Sequence, residues 1–145
     1  MKNEYISYPA IIEHIRPETL DTKTFRVKFT DTAYANAFTY KQGQFMEISV
    51  LGKGEAPISI TSSPSRKGFL EFTIRATGKV TKSIHELKKG DTLFLRGPYG
   101  NTFPFEEIQG KNIYFVAGGI GLAPLRSLIN LVFDHRKDFK HIKIL

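Results

Sequence analysis

Residues Gly118, Gly119, Ile120, Gly121 and Pro124 form the most chemically informative part of this sequence, within V-A-G-G-I-G-L-A-P. Glycines between a strand and a helix permit a tight turn and let backbone N–H groups approach a diphosphate. The helix that follows adds unpaired N–H groups and the positive end of its dipole. Proline is compatible with a first helical turn. The pattern predicts a nucleotide-binding turn; the alternative is a glycine-rich connection without a ligand.

A second segment, E-A-P-I-S-I-T-S-S-P, carries successive hydroxyl side chains between two prolines. As part of a strand, it would present Ser and Thr oxygens and backbone N–H groups to a planar polar ligand. Such residues are also common in strands that bind nothing, so both interpretations stay open at this point.

A third segment, Arg75 to Thr81, places a strand end close to a helix start. We expect Thr81 to be the N-cap, with the following N–H groups forming an anion site and Arg75 adding a guanidinium. The alternative is a capped helix with a solvent-facing arginine.

Two further features complete the list of candidates. Residues 96–101, R-G-P-Y-G-N, are predicted to form a turn whose glycines lie in unusual conformations or near a ligand. The four histidines show no paired spacing typical of a metal site. We find no acid–base pair that would support hydrolysis.

The first hundred residues that position these motifs have the character of β-structure. Short segments of alternating or continuous apolar residues, bounded by turn residues, predict a closed antiparallel barrel or sandwich. The predicted strands are Ala10–Ile15, Thr24–Phe29, Gln44–Val50, Pro57–Thr61, Phe69–Arg75 and Asp91–Arg96. One helix, Thr81–Leu87, is predicted to interrupt them, ending at Lys88-Lys89-Gly90.

After Pro104 the pattern changes to strand, glycine turn, helix and strand. The predicted strands are Asn112–Val116, of the buried type, and His141–Leu145. The helix stripe consists of Leu125, Leu128, Ile129, Val132 and Phe133. This order predicts one βαβ unit with parallel strands. We therefore expect a barrel over residues 1–105 and the opening of an α/β nucleotide-binding domain over 106–145, in a chain that is a fragment.

Composition restricts the possible functions further. The 145 residues contain no cysteine, so disulfides, thiolate zinc sites and iron–sulfur clusters have no ligands here. No apolar run approaches the length of a membrane span, and the first ten residues lack the features of a signal peptide, so we expect a cytoplasmic protein. The net charge of +7 comes from scattered Lys and Arg, which indicates a solvated basic surface or an anionic ligand.

In their order along the chain, A-P-I-S-I, R-x-x-G-x-V-T, G-P-Y-G and A-G-G-I-G-L-A-P resemble the ferredoxin–NADP reductase superfamily. The resemblance covers nearly the whole chain. It is strongest to the gamma subunits of [NiFe] hydrogenases (sulfhydrogenases), with the flavin subunit of anaerobic sulfite reductase and the electron-transfer subunit of dihydroorotate dehydrogenase as near relatives. E-A-P-I-S-I followed by S-S-P, and G-P-Y-G-N, are particularly similar to the hydrogenase subunit.

The resemblance implies an FAD-binding Greek-key barrel followed by an NAD(P)H-binding α/β domain. It places Pro57, Ile58 and Ser59 against the isoalloxazine, with Ser59 near its reactive nitrogen, and it counts Ala56 among the cofactor-binding residues. It further places three groups of residues along the cofactors: Thr73, Ile74 and Arg75 on the ribityl and diphosphate; Gly78, Val80 and Thr81 at the diphosphate-binding helix start; Gly118 to Pro124 at the nicotinamide nucleotide.

The chemistry implied is hydride transfer between nicotinamide and FAD, followed by single-electron transfer to iron–sulfur centres of partner subunits in a hydrogenase-like complex. No side chain needs to act as an acid or base. Two departures stand out: the wider family's arginine in Arg-x-Tyr-Ser is Ala56 here, which leaves a phosphate contact to Arg75, and the relatives' C-terminal [2Fe–2S] cysteines are absent.

Two other functions remain open from the sequence. A basic barrel can bind single-stranded nucleic acid through exposed aromatic residues and a positive groove. A domain of this family can also act in assembly without redox activity. If the chain is a fragment, we also expect it to oxidise NAD(P)H weakly.

Overall fold

A computed structural model describes residues 5–145. Within that range eight strands and four α-helices follow one another. The elements are β1 Tyr8–Pro17, β2 Thr22–Phe29, α1 Thr32–Ala37, β3 Phe45–Val50, β4 Gly54–Ser59, β5 Leu70–Arg75, α2 Lys79–Glu86, β6 Thr92–Tyr99, α3 Phe105–Ile108, β7 Ile113–Phe115, α4 Leu122–Asp134 and β8 Ile142–Ile144. None of the helices in these 141 residues is long and apolar enough to cross a membrane.

The first six strands form the predicted antiparallel barrel, with hydrogen-bonded order β4-β3-β6-β1-β2-β5. A bridge between Ile60 and Phe72 brings its two edges together. Alternate residues point inward because side chains alternate across a strand. The largest fully buried side chains of this core are Phe25, Phe72, Ile12, Met46, Ile48, Ile60, Ile74, Ile84, Leu93, Leu95 and Val27.

Helix α2 contributes to the barrel core. Its Ile84 is fully buried among the strand residues, and the His85 ring lies 2.8 Å from the carbonyl oxygen of Ile74. Lys23 on β2 in turn donates to the carbonyl of His85 at 3.0 Å. The helix is thus fixed to β5 and β2.

Two local predictions for the barrel strands are wrong. Residues 96–99, predicted as part of a turn, belong instead to the end of β6. The pairing register with β3 shifts between Phe45 and Glu47, and this bulge accommodates Gly97 and Pro98. A bulge tolerates proline because the missing N–H is not needed there. Strand β4 begins at Gly54 rather than Pro57 and ends at Ser59, since Thr61 already donates its N–H to Glu71 of β5.

A third local correction concerns helices. The sequence predicts one helix before residue 100, whereas the described chain has two there. Helix α1 begins where the Asp31 side chain accepts a hydrogen bond from the N–H of Tyr34 at 3.0 Å. Its six residues are too few to show a helical apolar period, although the Asp31 cap is visible in the sequence.

The predicted βαβ unit is confirmed. Strands β7 and β8 pair in parallel, with Ile113 opposite Ile142, and α4 connects them. A second apolar cluster, separate from the barrel core, includes Phe105, Phe115, Leu128, Ile129, Leu131, Val132 and Phe139. The predicted boundary at residue 105 stays a prediction.

Two expectations for this unit need correction. The helical period places Phe133 in the apolar stripe, but this side chain is 49% exposed and Leu131 is buried instead. The strand expected to be of the buried type exposes Tyr114 and Val116. The apolar cluster formed with α3 and α4 includes Phe115 of this two-stranded sheet, and Tyr114 lies outside that cluster.

Candidate functional site

The barrel has an opening between β4 and β5. These strands are the two edges of the sheet, and the bridge between Ile60 and Phe72 is followed by no further ladder between them in the described residues. At the other end, the start of α2 closes the gap: a methyl group built at Gly54 would lie 3.3 Å from Cγ2 of Val80. We call this gap the β4–β5 opening.

The predicted flavin-contacting segment forms one edge of this opening. On β4, Ala56 and Ile58 lie opposite Ile48 and Met46, which belong to the barrel core, so their side chains face inward. Pro57 and Ser59 alternate with them and face outward. The four predicted residues therefore lie along one edge of the opening, two with side chains toward the core and two with side chains toward the outside.

Next to the bridge between Ile60 and Phe72, Thr61 carries an unusual hydroxyl. Its Oγ1 is a buried side-chain oxygen without a hydrogen-bond partner among the described residues. Buried hydroxyls are normally satisfied, so this atom has capacity for one more polar partner.

The other edge carries Thr73, Ile74 and Arg75 of β5. Ile74 is 1% exposed and belongs to the core, whereas its two neighbours lie on the outer face. The Thr73 hydroxyl lies 2.8 Å from that of Thr24, and Arg75 Nε donates to Asp21 at 2.6 Å.

The start of α2 differs from its prediction. The N-cap is Gly78, and Thr81 is the third helical residue, so the assignment of Thr81 as N-cap is wrong. Its Oγ1 instead accepts hydrogen bonds from the N–H groups of Gly78 (2.9 Å) and Thr77 (3.0 Å). Because glycine has no capping side chain, the N–H groups of the first turn remain available to an anion.

The glycine turn lies where the sequence predicts it. Gly119–Gly121 form one 3₁₀ turn directly before α4, with Gly119 at φ +54°. A Cβ added at Gly118, Gly119 or Gly121 would meet no atom within 4 Å. Pro124 lies in the first turn of α4, as predicted. The turn thus leaves open space over its backbone.

A cleft of about 520 Å³ lies between the end of β5 and the glycine turn. Thr73 and Arg75 lie on its barrel side, and Gly119 and Ile120 lie on the opposite side. Its other lining residues are Arg16, Glu18, Thr19, Asp21, Thr22, Leu122, Ala123 and Arg126. Ala56–Ser59 do not line this cleft; they line the β4–β5 opening.

Helix α4 contacts the barrel through polar side chains. Ser127 accepts the N–H of Gly43 at 3.1 Å, and Asn130 donates to the carbonyl of Thr61 at 3.3 Å. At the end of the helix, Asp134 accepts from Arg66 through both carboxylate oxygens (2.7 and 3.2 Å) and from Ser65 at 2.6 Å. Hydrogen bonds and charge therefore fix α4 against the barrel.

Arg126 is a site residue that the sequence analysis missed. Its Nη1 donates to Thr73 Oγ1 at 3.1 Å and to Thr24 Oγ1 at 3.3 Å, which joins α4 to β5 and β2. A signal was present: Arg126, Asn130 and Asp134 recur at four-residue spacing beside the apolar stripe. Such a polar stripe normally indicates a solvated face, and here it contacts the barrel.

The carboxylates along the cleft are held in their ionised form. Arg75 above all, with the hydroxyls of Thr19 and Thr22, lowers the pKa of Asp21 to about 2. For Glu18, burial alone raises the pKa, but the Thr24 hydroxyl, Arg16 and Arg126 outweigh it and the net pKa is lowered. The barrel wall of the cleft thus alternates positive and negative groups.

Comparison with known proteins agrees with this geometry. Residues 10–103 match the family described as oxidoreductase FAD-binding domain. The chain is 42% identical over 143 residues to the gamma subunit of sulfhydrogenase 1 from Pyrococcus furiosus, covering 99% of the chain and 49% of that protein. It is 34% identical over 119 residues to a probable dihydroorotate dehydrogenase B (NAD(+)) electron transfer subunit from Methanocella arvoryzae, covering 82% and 41%. The chain thus spans about half the length of these relatives or less.

Among solved structures, the fold is similar to phthalate dioxygenase reductase, with a TM-score of 0.78. The two proteins are 17% identical, and the match covers 95% of this chain and 42% of the reductase. At this level of identity the similarity concerns the fold, and it confirms the predicted combination of an antiparallel barrel with the start of an α/β unit.

The ion pair at the end of α4 predicts an acid-dependent loss of stability. Arg66, with Ser65, lowers the pKa of Asp134 to about 2 from an ordinary 3.8. The pair therefore stabilises the fold above about pH 4, and its contribution disappears as the pH falls from about 4 to about 2. We expect Asp134→Asn to lower the free energy of unfolding at pH 7 by about 0.5–1 kcal/mol.

Urea denaturation followed by circular dichroism between pH 2.5 and 7 measures this effect, and the difference between wild type and variant should shrink toward acid pH. Asp138→Asn is the control, since that carboxylate makes no ion pair with the described residues. Equal pH profiles for the two variants would contradict the assignment.

Proposed function

The chain belongs to the oxidoreductase FAD-binding domain family, and on this basis we propose that it is the flavin-binding, electron-transfer part of an NAD(P)H-linked oxidoreductase. The observation that carries the proposal is the β4–β5 opening with the uncapped start of α2 at its end. An elongated ligand with a planar ring and a diphosphate matches such a site, because strand edges contact the ring and the helix start binds the anion.

The residues present fit FAD. Open space over Gly78 lets a diphosphate approach the first-turn N–H groups of α2, whose dipole favours negative charge. Along β4, Ser59 faces outward and is partly buried, so its hydroxyl and backbone are available to a flavin ring. The unpartnered Thr61 hydroxyl adds a hydrogen-bonding group at the opposite end.

Ala56 leaves diphosphate binding without the arginine that the wider family has there, and Arg75 is the proposed substitute. In the structure Arg75 pairs with Asp21, and the two side chains are 53% and 44% exposed. Exposed ion pairs are weak, whereas a guanidinium binds a phosphate through two parallel hydrogen bonds. Arg75 would therefore gain by giving up its ion pair with Asp21 for two hydrogen bonds to a diphosphate.

We propose that NAD(P)H binds at the glycine turn, on the opposite side of the cleft from Thr73 and Arg75. The turn's open backbone lets a nicotinamide nucleotide come close to an FAD whose ribityl and diphosphate lie along β5. Bound FAD supplies the redox chemistry, taking up a hydride and releasing electrons singly. The protein side chains position the ligands and exclude water; none is assigned as an acid or base.

The proposed partners are iron–sulfur and catalytic subunits of a hydrogenase-like complex. This follows from the relatives, which are a gamma subunit of sulfhydrogenase 1 and a probable electron transfer subunit of dihydroorotate dehydrogenase B. Since the chain has no cysteine, cysteine-ligated clusters that receive its electrons belong to other polypeptide segments or subunits.

Flavin retention tests the proposal directly. The protein is expressed, reconstituted with FAD, desalted and scanned for visible flavin absorbance, and FAD released by acid is quantified per chain. We expect one FAD per chain. A protein with the circular dichroism of a folded barrel that never retains FAD would overturn the proposal.

Substitutions at Gly78 test the position of the diphosphate. Gly78 has an extended backbone (φ −108°), so Asp and Asn are both tolerated as N-caps and should stabilise the apo protein by a few tenths of a kcal/mol. Only Asp adds a negative charge beside the diphosphate. We therefore expect Gly78→Asp to weaken FAD binding at least tenfold more than Gly78→Asn, measured by quenching of flavin fluorescence. Equal affinities of the two variants would exclude a diphosphate at this helix.

Turnover with NAD(P)H should be weak in the 145-residue chain. The described parallel sheet has two strands, so the surface that it offers to the nucleotide is small. The FAD-loaded protein is mixed anaerobically with NADH or NADPH, and reduction of the flavin is measured as bleaching of its visible absorbance band. Chemical reduction with dithionite is the control for a redox-competent flavin. Rapid and complete bleaching of the flavin by either nucleotide would refute the expectation.

A further inference from the structure

Arg126 differs from the other arginines near the cleft in having no carboxylate of its own. The other three each have a carboxylate oxygen at 2.6–2.8 Å: Arg16 with Glu18, Arg26 with Glu71 and Arg75 with Asp21. For Arg126, the nearest carboxylate oxygens among the described residues are those of Glu18 at 3.6 Å and Glu71 at 3.8 Å. Both distances exceed hydrogen-bonding range.

Both of those carboxylates are already paired with another guanidinium. Glu18 accepts two hydrogen bonds from Arg16, and Glu71 accepts two from Arg26. Three guanidinium groups therefore share two carboxylates, which leaves one positive charge without a counter-charge in this part of the described chain. Arginine stays protonated in proteins, so the excess charge cannot be removed by deprotonation.

The Arg126 side chain also has unused hydrogen-bond donors. Nη1 donates to the hydroxyls of Thr24 and Thr73, whereas Nε and Nη2 make no hydrogen bond with the described residues. The side chain is 24% exposed and lines the cleft with Gly119 and Ile120. A partly desolvated cation with free donors is stabilised by an anion that accepts them.

We propose that Arg126 binds the diphosphate of a dinucleotide in this cleft and thereby supplies the missing counter-charge. A guanidinium donates two parallel hydrogen bonds to phosphate oxygens, and its orientation is already fixed by two threonine hydroxyls. The glycine turn that directly precedes α4 leaves room for the ligand. The class of ligand rests on the proposed function, in which both FAD and NAD(P)H carry a diphosphate.

Equilibrium binding to the 145-residue chain tests this inference with two probes. FAD binding is measured by flavin fluorescence, and binding of ADP-ribose, which carries the diphosphate of a nicotinamide nucleotide without its redox ring, by calorimetry. We expect Arg126→Gln to weaken one of the two probes about tenfold, as for loss of one charge-assisted contact, and Arg126→Lys to restore part of the affinity. A loss for FAD alone or for ADP-ribose alone identifies which dinucleotide supplies the diphosphate.

Arg66→Gln is the matched control, because it removes an arginine that joins α4 to the barrel at its other end through Asp134. It should leave both affinities unchanged. The inference is overturned if Arg126→Gln binds both probes as wild type does, if Arg66→Gln weakens them equally, or if wild type binds neither. Wild-type binding of ADP-ribose that depends on Arg126, without any FAD binding, would refute the flavin function while supporting the Arg126 site.

Discussion

The incomplete closure of the barrel is the constraint on which the rest of the site depends. A six-stranded sheet that meets itself at the Ile60–Phe72 bridge leaves its two edges apart beyond that point. An open core would expose apolar residues, and α2 prevents this by burying Ile84 inside the barrel. The helix that fills the core therefore begins at the end of the opening, so core packing and the position of the uncapped helix start, the proposed anion site, have the same cause.

Helix α4 also has two structural roles, one in the α/β cluster and one in contact with the barrel. One face packs into the apolar cluster around Val132, while Arg126, Ser127, Asn130 and Asp134 contact the barrel through hydrogen bonds and charges. The barrel core and the α/β cluster are separate. Because polar contacts depend on direction and distance more than apolar packing does, they fix the glycine turn relative to β5 without merging the two cores.

The sequence was sufficient for the features that depend on local pattern. The barrel, the βαβ unit and the position of the glycine turn follow from apolar periodicity and glycine spacing, and all three are present. Features that depend on distant partners or on local hydrogen bonding were missed or misassigned. Arg126 contacts Thr24, 102 positions earlier; the cap of α2 is Gly78 because Thr81 reaches back to it; and the end of β6 contains Pro98 because a bulge opposite β3 tolerates it.

The net charge of +7 is carried largely by exposed lysines, whereas the charged groups of the cleft are arginines and carboxylates. Except for Lys23, every lysine in the described range is exposed, whereas the arginines near the cleft mostly have carboxylate partners. Large aromatic residues of the barrel, such as Phe25 and Phe72, are in the core rather than on a basic groove, which does not favour the nucleic-acid alternative. Exposed lysines attract any polyanion at low salt, and that attraction is screened within about 8 Å at physiological ionic strength. A guanidinium held by two hydroxyls is screened less and keeps its orientation, so the proposed selectivity for a dinucleotide would depend on Arg126 and the start of α2 rather than on total charge.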